Sequence, residues 1–134
     1  MPSIFSKIIA GEIPCHKIWE DERFFAFLDI NPIQPGHALV VTKQEIDSPF
    51  DLDDKTFGDY LLAAKRLIEP MRRATGSKKV ALVIEGLEVA HAHIKLIPIN
   101  GAGDLDHINA RSATNEELAA VAEKIRAELS KDKN

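Results

Sequence analysis

The sequence predicts an α+β domain in which three helices pack on one five-stranded antiparallel sheet. Three segments carry apolar residues at three- and four-residue spacing, and five short segments are rich in aromatic or β-branched residues. Only one of the predicted helices lies between strands, so the order differs from the repeating strand–helix–strand pattern of a parallel sheet. We expect a short N-terminal helix, three strands, a helix between strands 3 and 4, two strands and a C-terminal helix.

The N-terminal part of the chain contains the short helix and three strands. Residues 3–13 place isoleucine and phenylalanine at helical spacing, and Gly11 and Pro14 end that pattern. Turn-forming residues separate the next three apolar segments, and the first two are close enough to form a hairpin. The predicted strands are residues 15–20, 24–30 and 37–42.

The middle of the chain changes to a helical period. Residues 54–75 are apolar on one face and charged on the other, and Asp53 or Asp54 is suited to the N-cap. Pro70 has no backbone N–H to donate, so we expect the helix to kink or end there.

The C-terminal part contains two strands, a loop and the last helix. Residues 79–85 and 91–99 predict the strands, and residues 100–113 predict a surface loop. Thr114 and Glu117 have the spacing of a capping box, which marks the start of the final amphipathic helix.

Length and charge limit the kinds of function that the chain can have. Its 134 residues fit a single domain, 1–134, and its net charge of −4 argues against binding nucleic acid, which requires a basic surface. Cys15 is the only cysteine, so we expect a reducing compartment and a half-buried structural thiol rather than a nucleophile. We find neither the apolar run of a signal peptide nor the roughly 18 apolar residues that span a bilayer. These features predict a cytoplasmic protein without a membrane partner.

The segment from His91 to Lys95 is the strongest indication of chemistry. In a strand, His91, His93 and Lys95 share one face, with neighbours about 7 Å apart. A neutral imidazole is a good nucleophile towards phosphorus, because its ordinary pKa of about 6.5 leaves it mostly unprotonated at pH 7. The row suits either a set of contacts to a polyanion or one nucleophile flanked by two helpers.

A second group of polar residues lies at the turn between the second and third predicted strands. Asp29 precedes Asn31-Pro32, and His37 follows Gly36, so both side chains are expected at one rim of the sheet. A carboxylate there can accept hydrogen bonds from both hydroxyls of a ribose. Alternatively, Asp29 caps the turn and His37 is a half-exposed strand residue.

Together these segments resemble the histidine-triad nucleotide-binding family. The family pattern is His-x-His-x-His followed by two apolar residues, and residues 91–97 follow it with Lys95 at the third histidine. Three segments look like family segments in family order: IFSKIIAGEIP, FLDINPIQPGHALVV and EGLEVAHAHIKLIPI. The resemblance covers roughly residues 3–99.

The resemblance implies a covalent mechanism and a purine nucleotide partner. His93 corresponds to the middle histidine, which would attack the α-phosphate and form a nucleotidyl-histidine that water or another acceptor then releases. His91 and His37 would support the phosphates and fix the orientation of His93, and Asp29 would hold the ribose. The candidates for an apolar slot around the base are Phe5, Ile8, Phe27 and Ile30. Proteins of this family usually pair as homodimers, so we expect a homodimer.

Two positions near the phosphate depart from the family pattern. Lys95 replaces the third histidine but keeps a positive charge and three donors for a phosphate, unless it only extends to solvent. The uridylyltransferase branch of the superfamily has glutamine there, so hydrolysis and transfer both remain open. Glu88 stands where relatives often have an amide or hydroxyl near the leaving group, where it would act as an acid or point to solvent. His107 matches no family position and is expected at the surface.

A third departure concerns metal. Many relatives have a Cys-x-x-Cys near the N-terminus that helps to bind a structural zinc, and the matching residues here are Ser3 and Ser6. A further ligand histidine is replaced by Glu45. Hydroxyl groups are poor zinc ligands, so we expect no zinc and no other cofactor.

Three functions remain open, in this order. The first is a nucleotide hydrolase or nucleotidyl transferase that uses His93, with adenosine phosphoramidates, dinucleoside polyphosphates and aminoacyl adenylates as possible substrates. The second is a catalytically impaired nucleotide-binding or interaction protein, because Lys95 replaces a histidine. The third is a metal hydrolase that uses His91, His93 and His37, because a His-x-His strand can also hold zinc.

Overall fold

The computed structural model describes residues 2–132, and its elements follow the predicted order. The helices and strands are α1 (Ile4–Ile9), β1 (Lys17–Glu20), β2 (Phe24–Leu28), β3 (Ala38–Thr42), α2 (Asp54–Thr75), β4 (Lys79–Val83), β5 (His93–Ile99) and α3 (Asn115–Lys131). Single 3₁₀ turns lie at Pro49–Asp51, Ala102–Leu105 and His107–Asn109. The α+β class is therefore confirmed. The segment predicted as a surface loop contains the last two of these turns.

The five strands form one antiparallel sheet in the order β1-β2-β3-β5-β4. β5 is central and pairs with β3 through Val41 opposite His93, and with β4 through Val83 opposite Lys95. The predicted strand 91–99 begins two residues late, at His93. The reason is that Ala92 donates its backbone N–H to the carbonyl of Ile46 at 2.7 Å, in the loop that follows β3.

Each face of the sheet carries its own apolar cluster. One face packs under α2 and α3 and contains the larger apolar cluster, in which Ile94, Leu67 and Ile125 are fully buried. Each such side chain contributes about 1.5–3 kcal/mol when it leaves water. The opposite face carries a smaller cluster: Phe5, Phe25, Phe27, Leu39 and Val41. Because side chains alternate along β5, His93 and Lys95 lie on this second face.

The helix ends follow the predicted signals, with one correction. Asp53 caps α2 by accepting from the backbone N–H of Thr56, and Gly76 ends it with a left-handed φ of 70°. Of the kink or end expected at Pro70, the end does not occur, because α2 continues through Pro70 to Thr75. Pro70 and Met71 are both buried, so their packing offsets the missing backbone hydrogen bond.

The final helix confirms its predicted capping box. The hydroxyl of Thr114 accepts from the N–H of Glu117, and the Glu117 carboxylate accepts from the N–H of Thr114. Within residues 2–132, we find no helix with the length and apolar character needed to cross a bilayer.

Candidate functional site

The ring of His93 is fixed by the backbone just before it. Its Nδ1 lies 2.8 Å from the carbonyl oxygen of His91. A carbonyl can only accept, so Nδ1 donates and the neutral ring carries its lone pair on Nε2. The edge of the Phe5 ring packs against the imidazole with centroids 5.3 Å apart. The arrangement holds a histidine with Nε2 as the atom able to attack an electrophile.

His91 has a different setting from the one that strand alternation predicts. It lies before β5 and is fully buried, with Nε2 2.6 Å from the carbonyl oxygen of Thr42 and Nδ1 2.6 Å from Oγ of Ser3. Both ring nitrogens are therefore occupied by protein groups. The three side chains therefore do not lie on one strand as predicted, although the ring of Phe5 contacts both His91 and His93, with centroids 5.7 Å and 5.3 Å away.

His37 and Asp29 lie together at the start of β3. Nδ1 of His37 accepts the backbone N–H of Ile33 at 3.1 Å, so the neutral ring carries its proton on Nε2, which lies 3.7 Å from Oδ2 of Asp29. Nε2 is buried and has no hydrogen-bond partner among residues 2–132. Burial lowers the pKa of His37, an effect that Asp29 opposes and the charge of Lys95 reinforces. His37 is only 2% exposed, so the half-exposed alternative is wrong.

Asp29 takes the turn-capping role that its sequence position suggested as the alternative to ribose binding. Its Oδ1 accepts the backbone N–H of Asn31 at 2.8 Å, which is the turn-capping role. Its Oδ2 faces His37, and a quarter of the side chain is exposed. The carboxylate is therefore held in one orientation and remains accessible to a ligand hydroxyl.

Lys95 is enclosed by two carboxylates. Its Nζ lies 2.7 Å from Oε1 of Glu88 and 3.2 Å from Oε1 of Glu85, and the residue is only 4% exposed. Burial alone would lower the pKa of Lys95, but the hydrogen bonds to Glu88 and Glu85 outweigh burial and raise it. The hydrogen bond from Lys95 in turn lowers the pKa of Glu88. The idea that Lys95 extends to solvent is wrong, and one ammonium here faces two carboxylates.

Two members of this charged group were not predicted. Glu85 follows β4, and Nε2 of His107 lies 3.4 Å from its Oε1 although the His107 side chain is 63% exposed. Glu85, Lys95 and His107 border a small cavity of about 170 Å³, whose other lining residues are Ile33, Val83, Ile97 and Leu105. The only signal in the sequence was the pair of acids flanking Gly86-Leu87, since a buried lysine requires a partner.

The four candidates for the base slot separate into two places. Phe5 and Phe27 are buried with ring centroids 5.8 Å apart, and Ile8 packs against their cluster. Ile30 is 61% exposed and stands beside Asp29 in the turn. A larger cleft of about 470 Å³ lies beside Trp19 and Leu62, on the side of α2 and α3. That cleft is on the sheet face opposite to His93, so it does not belong to this site.

The donor groups of residues 2–132 do not converge on one point. Among residues 2–132, no three side chains of the types His, Cys, Asp and Glu converge closely enough to hold an ion. His91 and His93 each direct a ring nitrogen to a backbone carbonyl. This geometry argues against the metal-hydrolase alternative.

Comparison with known proteins identifies the family. Residues 10–102 match the HIT domain. This chain belongs to the HIT-domain family. An uncharacterised HIT-like protein of Methanocaldococcus jannaschii is 34% identical over 128 residues, which are 92% of this chain and 98% of that protein. An adenosine 5′-monophosphoramidase of Saccharomyces cerevisiae is 39% identical over 100 residues, which are 71% of this chain and 61% of that enzyme.

Solved structures support the same assignment of the HIT fold. A HIT-like protein of Bartonella henselae, described as involved in cell-cycle regulation, superposes with a TM-score of 0.80 at 29% identity. The match covers 94% of this chain and 95% of that protein. The five-stranded sheet with its N-terminal and C-terminal helices is therefore the HIT fold.

Proposed function

We propose that this HIT domain is a nucleotide hydrolase or nucleotidyl transferase that attacks the α-phosphate of a purine nucleotide derivative through His93. The observation that carries the proposal is the hydrogen bond from Nδ1 of His93 to the His91 carbonyl, because it leaves the lone pair on Nε2. The relationship to an adenosine 5′-monophosphoramidase supports a nucleotide substrate with a phosphorus–nitrogen bond.

The proposed reaction has two displacements at one phosphorus. Nε2 of His93 forms a bond to the α-phosphorus as the bond to the leaving amine or oxygen breaks, and the electron pair departs with the leaving group. Water or a second acceptor then attacks the nucleotidyl-histidine, and His93 leaves as the neutral ring. The imidazolium formed between the steps keeps its Nδ1–H on the His91 carbonyl, so the ring retains its orientation.

Lys95 acts in this proposal as a fixed charge and not as the acid. Because Glu88 and Glu85 raise its pKa, it stays protonated near neutral pH and donates its proton poorly. The leaving group therefore takes a proton from water. The Glu88 side chain is 64% exposed, so a phosphate oxygen can replace it on Nζ without burying an unpaired carboxylate.

The remaining predicted contacts are assigned by position. The accessible carboxylate of Asp29 is proposed to accept from the ribose hydroxyls, and the exposed Ile30 beside it is proposed to cover part of the base. His37 is proposed to hold the Asp29 carboxylate through Nε2–H. Phe5 and Phe27, which are buried, are proposed to support His93 and the floor of the slot.

A second function is favoured by one observation. Two carboxylates neutralise the lysine at the third triad position, which weakens the attraction for an anionic substrate and its transition state. A protein of this kind would bind a purine nucleotide without turning it over.

One experiment separates the two functions. Turnover of an adenosine phosphoramidate and a dinucleoside polyphosphate is measured with EDTA present, for wild type, His93→Ala and Lys95→His. The enzyme proposal expects turnover by wild type, a nucleotidyl mass added to the quenched protein, and loss of both by at least about 10⁴-fold in His93→Ala. His16→Ala is the matched control, because among residues 2–132 the His16 ring hydrogen-bonds to the side chain of Asn115, at the start of α3, and to no group of the proposed site.

The opposite result is equally clear. If wild type binds AMP without turnover and Lys95→His gains activity, Lys95 has disabled the chemistry and the binding function stands. Activity that EDTA removes would return the metal hydrolase to consideration.

The remaining expectations stay predictions of the proposal. They are a single HIT-like domain over 1–134, a cytoplasmic location, no nucleic-acid or membrane partner, and a homodimer. Within the described residues 2–132, β4 is an edge strand that pairs with β5 alone and exposes Leu82, and such an edge can take a strand from a second copy. Sedimentation equilibrium checks the dimer directly.

A further inference from the structure

Three separate segments are tied together just before β5. Ser3 is the N-cap of α1 and Ser6 lies in its first turn, Glu45 comes from the loop after β3, and His91 leads into the candidate nucleophile. One oxygen of the Glu45 carboxylate accepts the backbone N–H of Ser3 at 2.7 Å and the hydroxyl of Ser6 at 2.6 Å. These two bonds lower the pKa of Glu45. The carboxylate is therefore an ionised acceptor that anchors the start of α1.

The hydroxyl of Ser3 connects the start of α1 to the ring of His91 through hydrogen bonds. It accepts the backbone N–H of Ser6 at 3.0 Å, as the N-cap of α1, and lies 2.6 Å from Nδ1 of His91. Because Nε2 of His91 donates to the Thr42 carbonyl, the neutral ring needs a donor at Nδ1, and only the Ser3 hydroxyl can provide it. For a neutral His91 ring, the hydroxyl proton of Ser3 is therefore directed to Nδ1 of His91 at 2.6 Å and not to Oγ of Ser6 at 3.3 Å.

His91 in turn determines the position of His93. Its ring is held between α1 and the end of β3, and its carbonyl accepts Nδ1–H of His93 at 2.8 Å. The next residue is held as well, because Ala92 donates to the carbonyl of Ile46. A shift of the His91 backbone would therefore move the acceptor that fixes the tautomer of His93.

The same residues do not fit the structural zinc of related proteins. Ser3 and Ser6 stand at the positions of the family Cys-x-x-Cys, and Glu45 stands at the position of a ligand histidine. Here the hydroxyls donate to His91 and Glu45, so they are neutral groups already engaged, and both nitrogens of His91 are in use. Zinc requires deprotonated ligands with free lone pairs.

We propose that Ser3 and Glu45 are positioning residues for His93, and that they act through a hydrogen-bond network formed where the family resemblance implies a zinc site. The bonds run from Glu45 through Ser3 and His91 to Nδ1 of His93. The proposal depends on the proposed function only for the role of His93 as nucleophile. The orientation of the ring can be measured without any substrate.

The test compares variants that remove the bonds with variants that keep them. Ser3→Gly removes the hydroxyl while leaving a residue that is acceptable at an N-cap, and Glu45→Ala removes the carboxylate. Ser3→Thr and Glu45→Gln keep a hydroxyl and an acceptor oxygen, so they are the matched controls. The readouts are the imidazole ¹⁵N shifts of His93, which report the tautomer, and kcat and KM for an adenosine phosphoramidate.

We expect wild type, Ser3→Thr and Glu45→Gln to show His93 protonated on Nδ1. Ser3→Gly and Glu45→Ala should show a mixture of tautomers and lose about tenfold in kcat, the effect of one lost hydrogen bond, with a smaller change in KM. Added zinc or EDTA should leave the ¹⁵N shifts of wild type unchanged.

Two results would overturn the network. One is an unchanged His93 tautomer in both Ser3→Gly and Glu45→Ala, and the other is an equal loss in the conservative controls. Absence of turnover in wild type would contradict the proposed function alone, because the ¹⁵N shifts would still decide whether Ser3 and Glu45 position the ring.

Discussion

The two ends of the segment from His91 to Lys95 are stabilised by different interactions: hydrogen bonds at the His91 end and ion pairs at the Lys95 end. At the His91 end, short hydrogen bonds join buried or half-buried groups, and both ring nitrogens of His91 have a protein partner. At the Lys95 end, a buried ammonium meets two carboxylates whose side chains are 39% and 64% exposed. The first end has one arrangement that satisfies every group. The second can exchange a carboxylate for another anion at small cost, because the carboxylate returns to water.

This difference suggests that the two ends have different roles in the proposed reaction. A nucleophile requires a fixed ring, which the His91 end provides, whereas a site that binds and releases phosphate requires a cation with an exchangeable partner. The His91 end should therefore respond to changes in hydrogen bonding, and the Lys95 end to changes in charge and salt. Three experiments, taken from the largest expected effect to the smallest, can break or sharpen this comparison.

The largest effect is expected from converting the His91 end into a metal site. A triple variant, Ser3→Cys, Ser6→Cys and Glu45→His, would place two thiolates and an imidazole around His91, since these side chains already lie in hydrogen-bond contact. We expect one equivalent of zinc and a gain in unfolding free energy of about 4 kcal/mol when free zinc exceeds Kd roughly a thousandfold.

Thermal unfolding with and without zinc measures that gain, and EDTA should reverse it. The control adds His91→Asn to the triple variant, which removes the fourth ligand. Equal stabilisation with and without His91 would show that these four side chains do not surround one point.

The sequence predicted the helices and strands better than it predicted the surroundings of His91 and Lys95. The long period of α2 and the capping box of α3 are local signals, so the bounds of α2 and the start of α3 were predicted correctly, whereas each strand is one or two residues shorter than predicted. His91 was placed in the strand because alternation continues through it, whereas the bond from Ala92 to Ile46 in a distant loop displaces it. The carboxylate partners of Lys95 depend on the pairing of β4 with β5. The contact of Glu85 with His107 depends on the turn that begins at His107.

The contact between Ser3 and Glu45 could not be predicted from the residue types alone. Ser3 and Glu45 are separated by 42 positions, and nothing in their types predicts a contact. The family resemblance placed both at ligand positions of one zinc site, and the chemistry of hydroxyl and carboxylate argued that zinc is absent. Neither argument predicted the donor directions, which follow from the carbonyl of Thr42.

An intermediate effect is expected in the pH dependence of stability. Burial lowers the pKa of His37 in the folded state, so its stabilising contribution is complete above the unfolded value of about 6.5. Below that pH the unfolded chain takes up a proton that the folded chain resists, and stability falls by up to about 1.4 kcal/mol per pH unit until the lowered pKa is reached.

The measurement is urea unfolding of wild type and His37→Asn between pH 7.5 and roughly 5. Asparagine can keep an acceptor oxygen near the position of Nδ1 for the N–H of Ile33 but does not titrate. We expect the His37→Asn curve to be flatter, while His107→Gln, at an exposed histidine, should follow wild type. Parallel curves for wild type and His37→Asn would show that His37 is not held neutral by burial.

The smallest effect is expected from one charge at the Lys95 end. Glu88→Gln keeps an acceptor oxygen near Nζ of Lys95 but leaves Glu85 as the only anion beside it. The site then carries one more net positive charge, so AMP should bind about threefold more tightly at low ionic strength, a gain below about 1 kcal/mol. Calorimetric titration in dilute and concentrated salt measures the gain in affinity, and this gain should shrink in concentrated salt.

Glu123→Gln on α3 is the control, because it makes the same change of net charge on the far side of the sheet. An equal gain there would mean that AMP responds to the total charge of the protein and not to an exchangeable partner of Lys95.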